Sequence, residues 1–248
     1  MHAQPEARLL GSGGWLPTDA RETACVYLRL GPEVLLLDAG SGARRLVTEP
    51  ELIDGVERLS VACSHFHLDH VVGLAALSGL DVEAREIWLP ARLLAGVPAA
   101  DLLERLVGAP FFTGVSRIGT ARELEGDTGV GSFSVRIRVQ PQHPGRSLAF
   151  RIGDELAYCT DTRYDPENVE FVRGARVLLH EAFWPGESTD DPGHTAAGEA
   201  GRLAAAAQVE RLVLVHVNPV GVTDDELLAS AQTHFPGVEV GHDRLELV

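Results

Sequence analysis

One run of seven residues, Ser64-His65-Phe66-His67-Leu68-Asp69-His70, places three imidazoles and a carboxylate in a single short segment. Imidazole and carboxylate are ligands of first-row divalent metals. In extended chain His65 and His67 are two apart and point the same way. Asp69 and His70 lie past the bend and can face a second ion. One loop could therefore feed two neighbouring metals. The bland alternative is a solvated polar loop. Ten histidines in 248 residues are unremarkable; three within six residues beside an aspartate, at a strand-to-helix junction, are not.

That loop needs elements to hold it. An apolar strand-like run, 59–62, precedes it, and an apolar helix-like run begins at Val71. Other strand-like runs are 24–30, 34–37, 86–89, 133–139, 148–152, 156–158, 177–179, 211–217 and 245–248. Several are almost wholly apolar, as strands covered on both faces are. Gly31-Pro32 and Gly153-Asp154 read as hairpin turns. Helix-like stretches are 43–48, 71–78, 99–107, 195–208 and 224–230, with Thr195 expected to cap the Ala-rich fourth. This mixture predicts an α/β layered sandwich, with sheets inside and helices outside. The stretch 91–122 gives the weakest signal, and no internal repeat is evident.

The composition bounds the function. With 36 acidic against 21 basic residues the formal net charge is −15. That balance argues against a broad electrostatic grip on nucleic acid or an anionic membrane. At 45% hydrophobic residues the chain can bury a substantial core, which excludes disorder as its main state. One domain spanning 1–248 is expected. Cys25, Cys63 and Cys159 are odd in number and form no CxxC pair, which argues against a disulfide scaffold or a zinc ribbon and points to the reducing cytoplasm. The opening MHAQPEARLLGSGGWLP lacks a basic-then-apolar leader pattern. The longest clean apolar stretch, 71–80, is too short to span a bilayer.

Further chemistry-bearing residues sit just after apolar runs: His143, Asp161, the pair His180-Glu181, and His216, with His194 just before the helix at 195. Strand ends are where α/β folds collect function. Singly, each reads more simply as a hydrogen-bonded structural residue or a turn; jointly they suggest one site.

The ordered set His65-x-His67-x-Asp69-His70, His143, Asp161 and His216 resembles the metallo-β-lactamase superfamily along essentially the whole chain. The resemblance implies a four-layer αββα sandwich with a two-metal site at one edge of the sheets. It implies that His65, His67 and His143 bind one metal, that Asp69, His70 and His216 bind the other, and that Asp161 bridges them. Leu10-Gly11-Ser12-Gly13, Pro17-Thr18, Arg21, His143-x-x-x-Ser147, Thr160-Asp161-Thr162, Leu179-His180-Glu181-Ala182-Phe183 and Gly193-His194-Thr195 are similar to the ribonuclease Z branch, with Phe183 where that branch usually has Thr. In that branch the Glu and second-motif His, here Glu181 and His194, pair beside the metals. The branch also carries a tRNA-gripping arm in the interval matching Ser147 to Asp161, where this chain has only residues 148–160.

The resemblance therefore implies a dinuclear metallo-hydrolase, a phosphodiesterase in which a metal-bridging hydroxide attacks a small or cyclic phosphodiester or an RNA end. Two divalent ions are implied, zinc first and manganese as the alternative. Asp69, Glu181 and His194 are taken as catalytic, His194 as the proton donor to the leaving alkoxide, oriented and kept cationic by Glu181. The partner expected is a small-molecule phosphodiester; nucleic acid is not favoured by the charge, no membrane is expected, and a homodimer is suggested by analogy alone. The alternatives are a lactone or thioester hydrolase on the same fold, and a full tRNA 3′-processing endonuclease, which the missing arm disfavours. Arg21, Arg146 and Ser147 are further candidates for phosphate contacts. Asp38 reads as a strand-end turn or as a support for a ligand loop, and His180 as such a support or as structural. Cys63 and Cys159 read as packing residues. Trp15, Phe183 and Trp184 read as core residues or pocket walls, and His2, His234 and His242 as surface.

Overall fold

The computed structural model describes residues 5–110, 112 and 114–248. His2 lies outside them. The described residues form two seven-stranded sheets. The first holds β1 (Glu6–Gly11), β2 (Cys25–Leu30), β3 (Glu33–Leu37), β4 (Arg58–Ala62), β5 (Ala84–Leu89) and β6 (Thr120–Glu123). The second holds β7 (Thr128–Val130), β8 (Phe133–Gln140), β9 (Ser147–Ile152), β10 (Leu156–Cys159), β11 (Val177–Glu181), β12 (Arg211–Val215) and β13 (Glu239–Val240). The last strand, β14 (Leu245–Glu246), returns to pair with β1. In both sheets, antiparallel pairs on one side give way to parallel pairs on the other, the change falling at β3–β4 and β10–β11.

The apolar runs are apolar because both of their faces are covered. In β3, Val34 and Leu36 enter the core beneath the helices, whereas Leu35 and Leu37 enter the core between the sheets. Phe150, Tyr158, Leu179 and Val213 supply the opposite wall of that central core. The outer face of the first sheet is covered by α1 (Arg45–Thr48), α2 (Leu68–Val71), the 3₁₀ segment Val72–Gly79, α3 (Ala91–Ala95) and α4 (Ala99–Val107). The outer face of the second is covered by α5 (Asn168–Val172), α6 (Ala197–Ala207) and α7 (Asp224–Ala231). Helices, sheet, sheet and helices make a four-layer αββα sandwich. No helix among the described residues is long and apolar enough to cross a membrane.

Both expected hairpins form, with Gly31 (φ +60°) and Gly153 (φ +52°) in the left-handed turn positions that favour glycine. Three local expectations change. The run 71–78 is mostly 3₁₀ rather than α, because Gly73 donates its N–H to Ala39 O instead of to the helix ladder. α6 starts at Ala197, since Thr195 spends its hydroxyl on Thr162 O (2.5 Å) while Glu199 reaches back to Ala196 N (3.0 Å). At the end of 91–122, and one residue past it, the edge strand β6 carries the charged, half-exposed pattern Thr-Ala-Arg-Glu, which masked its strand character and also discourages pairing with another chain.

Candidate active site

The chemistry-bearing residues of both sheets meet at one end of the sandwich. Asp38 follows β3, His65 to His70 follow β4, His143 lies between β8 and β9, Asp161 follows β10, Glu181 ends β11 and His216 follows β12. Backbone hydrogen bonds tie the two sheets together there. Leu148 N donates to Ser64 O (2.9 Å), and Gly14 N donates to Val217 O (3.0 Å).

His65, His67, His143 and Asp161 bring ligand atoms within 4.8 Å of one another, and so do Asp69, His70 and His216. Asp161 faces both groups. Its Oδ1 lies 3.7 Å from Nε2 of His65 and 3.7 Å from Nε2 of His143. Its Oδ2 lies 2.9 Å from Nε2 of His70 and 3.3 Å from Nε2 of His216. Asp69 Oδ2 stands 3.2 Å from His216 Nε2 and accepts the Trp15 N–H at 2.8 Å.

Hydrogen bonds behind the rings select the tautomers that aim lone pairs into the site. Asp38 is the hub. It accepts from Ser64 N (2.6 Å), Ser64 Oγ (2.9 Å), Tyr158 OH (3.0 Å) and His70 Nδ1 (2.8 Å). With its hydroxyl proton on Asp38, Ser64 Oγ accepts from His65 Nδ1 (3.0 Å). His143 Nδ1 donates to Gly193 O (3.0 Å), so its Nε2 is bare and faces His67 Nδ1 at 3.1 Å. Asp38 adopts φ +61°, a left-handed backbone that aspartate tolerates better than most residues. Its support of a ligand loop, the less plain of its two readings, is what the structure shows.

The buried Nε2 atoms of His65 and His70 make no directional hydrogen bond. A buried polar atom left so costs about 1–3 kcal/mol, and a cation held among these donors would satisfy both. Burial and the neighbouring imidazoles hold the His65 pKa well below its usual value, which leaves a neutral ring. Burial also works against charge on His70, but the carboxylates of Asp161 and Asp38 outweigh it and raise its pKa well above normal. The site therefore draws positive charge. His/Asp donors of this kind fit divalent metal ions.

Glu181 is fully buried, and one of its oxygens accepts the Thr162 N–H. The other stands 2.9 Å from His194 Nδ1. Burial opposes a charge on His194, yet Glu181 outweighs it and carries the pKa up to about 9. The His194 ring stacks on Phe183 (4.3 Å) and lies beside His216 (5.5 Å), and those two rings also meet, at 5.7 Å. These residues line a cleft of about 300 Å³ together with Trp15 and Asp191. A wider depression of about 590 Å³ lies at Pro50–Val56 and Asp81, but it includes none of the clustered donors.

Several expectations change at the rim. Ser147 is buried and donates to Asp161 O (2.8 Å), so it shapes the aspartate backbone rather than meeting a phosphate. Arg21 is committed to both carboxylate oxygens of Asp224 (2.8 and 2.7 Å) and to Ser12 Oγ. Arg146 donates to Leu93 O (2.7 Å). Trp15 is no core residue, being 58% exposed, whereas Phe183 is 8% exposed. His180 is buried with Nδ1 on Glu181 O (2.8 Å). Burial raises the Cys159 thiol to about 12 and lifts Cys63 well above its usual value, as suits packing residues. Tyr158, Gln140 and the Gly193 carbonyl had no sequence signal beyond their places beside the motifs.

An αββα sandwich with a His/Asp donor cluster at its strand ends defines a metal-dependent hydrolase of the metallo-β-lactamase fold. The family described as "Beta-lactamase superfamily domain" matches residues 34–217, a span that holds every clustered donor, and the chain belongs to it. It is 26% identical to the ribonuclease Z of Thermococcus onnurineus, over 92% of this chain and 89% of the relative. To the ribonuclease Z of Acaryochloris marina it is 27% identical, over 95% of each chain. Among solved structures, the metallo-β-lactamase fold protein YhfI from Bacillus subtilis superposes with a TM-score of 0.79 at 23% identity, covering 98% of this chain and 99% of that one.

Proposed function

We propose that the protein is a dinuclear-metal phosphodiesterase acting on a small or cyclic phosphodiester. The observation that carries this reading is the divided carboxylate of Asp161, with Oδ1 toward His65 and His143 and Oδ2 toward His70 and His216. In it, His65, His67 and His143 would hold one divalent ion and Asp69, His70 and His216 the other, with Asp161 available to both. The mixed imidazole and carboxylate donors suit zinc, with manganese next. Two such ions supply Lewis acidity toward a phosphoryl oxygen and a water of lowered pKa.

The chain's own residues do the rest. Water adds to phosphorus, and the P–O bond to the leaving alcohol breaks. An alkoxide leaves poorly without a proton. His194 supplies one, because Glu181 fixes its Nδ1–H and keeps the ring cationic near neutral pH. Phe183 packs flat on that ring at 4.3 Å and limits its rotation. The likeness to ribonuclease Z relatives favours phosphoryl over acyl substrates.

A tRNA-sized substrate is disfavoured. β9 and β10 are joined by a three-residue turn, 153–155, with no arm between them. The alignment with the Thermococcus relative runs over 283 positions but takes in 92% of 248 residues, about 228, so the relative has roughly 55 residues that this chain lacks. The charge of −15 adds no basic clamp. The test is hydrolysis of bis-(p-nitrophenyl) phosphate by metal-loaded protein, beside a lactone and a thioester. Diester turnover is expected. Turnover of the acyl substrates alone, with two metals bound, overturns the reading.

A further inference from the structure

The most exposed large apolar side chains are not scattered. Among the described residues they are Trp15, Leu16, Val47, Leu68, Val72 and Val220. All but Val47 belong to segments that carry or touch the donor cluster. Leu68 sits between His67 and Asp69, Val72 two residues past His70, and Val220 four past His216. Single exposed apolar residues need no explanation, but one of these, Trp15, lines the concave donor cleft itself, the kind of place where a ligand's body rests.

Trp15 stands out within that group. It lines the cleft, and the residue is 58% exposed. Its backbone is left-handed at φ +60°, a conformation that a bulky residue rarely takes and that tends to persist where function holds it. Two contacts hold it here. Its N–H donates to Asp69 Oδ2 at 2.8 Å. Gly14, just before it, lies so close to His216 that a β-carbon would stand 2.5–2.7 Å from the imidazole. The loop is thus pressed onto the donors while the indole stands open at the rim. The neighbouring aromatic side chains are engaged: Phe183, in the cleft wall, stacks on His194, and Trp184, behind it, donates Nε1 to Asp191 (3.0 Å). Cations are scarce for holding the rest of a substrate. The chain has no lysine among its 21 basic residues, and Arg21 and Arg146 are committed elsewhere.

We infer that Trp15 is a specificity-determining residue, its indole a stacking platform for a planar aromatic group, nucleobase or aryl, carried by the phosphoryl substrate. This rests on the phosphodiesterase reading for the kind of substrate, but not for the test. The test is calorimetric titration of the metal-loaded protein with methylphosphonate, phenylphosphonate and adenosine 5′-phosphate. Stacking predicts that at least one aromatic ligand binds about tenfold tighter than methylphosphonate. A tighter adenosine phosphate identifies a nucleobase platform; a tighter phenylphosphonate identifies an aryl one. In Trp15→Ala that preference falls to near one, and in Trp15→Phe it stays within about threefold of the original. Trp15→Asn, whose residue takes left-handed backbone readily, replaces the alanine variant should that one misfold. A preference below threefold in the parent protein, or one that survives loss of the ring, overturns the inference. Because binding is read directly, absence of diester hydrolysis would defeat the functional reading and leave this measurement intact.

Discussion

The two sheets use the same plan and contribute to the site in different ways. In each, a hairpin pair is followed by parallel strands, β2–β3 by β4 and β9–β10 by β11. In each, an aspartate with positive φ follows the hairpin's second strand, Asp38 at +61° and Asp161 at +46°. Asp38 comes directly after Leu37, the last residue of β3, whereas Thr160 intervenes between Cys159 of β10 and Asp161. Their carboxylates do opposite work. Asp38 stands behind the rings and accepts four hydrogen bonds. Asp161 stands in front, Oδ1 toward the Nε2 atoms of His65 and His143 and Oδ2 toward those of His70 and His216. One residue of offset separates a carboxylate that braces the imidazoles from behind from one that faces them across the cluster.

That contrast is open to a direct break. Asp161→Ala should cost the most, on the order of a thousandfold in turnover, with metal content falling below two per chain. Bis-(p-nitrophenyl) phosphate hydrolysis and elemental analysis check it, and full activity with two metals bound would remove Asp161 from its shared position. Asp38→Asn should cost less and differently. The amide still fills the space but brings a donor where His70, Ser64 and Tyr158 all donate. Orienting partners of this kind are worth about 10–100-fold in metal affinity. Competition with a chelator reads it, and unchanged affinity would make Asp38 mere packing.

The Glu181–His194 pair stands beside the shared donors, with a His194 ring nitrogen within 4.8 Å of Asp161 and His216, and elemental analysis beside turnover separates its proton-donor role from metal binding. His194→Ala should lower turnover by about 10²-fold for an alkoxide leaving group and much less for p-nitrophenolate. Equal losses on both would deny it the acid role. The cation is the donor, and its pKa is raised to about 9. Activity should therefore hold below that value and decline as pH rises through it. Removing the charge in Glu181→Gln leaves burial as the dominant influence, so the decline should shift to lower pH. An unmoved alkaline limb would assign it to another group.

The same contrast explains what could be read in the sequence. The first sheet concentrates its donors in one loop, and the chemistry of His65, His67, Asp69 and His70 is visible from residue types alone. The second sheet offers one residue per strand end, and His143, Asp161 and His216 gain meaning only from their order in a known family or from folding. Burial on both faces made β3, β4, β11 and β12 legible as apolar runs. β6 was not legible, because half-exposed edges share their pattern with polar loops. Asp38 looked like a turn because its partners, Tyr158 and His70, are brought to it only by the packing of β3 against α2 and the second sheet. Trp15 looked like core because hydrophobicity says nothing of a left-handed loop that turns a ring outward.

The smallest effect expected lies behind Asp161 and sharpens the comparison from the other side. Gln140 is fully buried. Its amide donates to Ser147 Oγ (2.8 Å) and Thr160 O (2.8 Å) and accepts from Asn168 Nδ2 (2.9 Å), while Ser147 donates to Asp161 O (2.8 Å). These bonds hold the aspartate's backbone, whereas those of Asp38 reach the imidazoles themselves. Gln140→Leu fills the same space but leaves the Thr160 carbonyl and the Asn168 amide short of partners, at about 1–3 kcal/mol in stability. For a chain of this size that is a fall in Tm of roughly 2–4 °C for each kcal/mol. Metal affinity should drop by less than tenfold, since two groups stand between Gln140 and the carboxylate. Thermal unfolding of metal-free protein and chelator competition separate the two readouts. An affinity loss as large as that of Asp38→Asn would show that backbone support at Asp161 matters as much as tautomer control, and the division of labour between the sheets would fail.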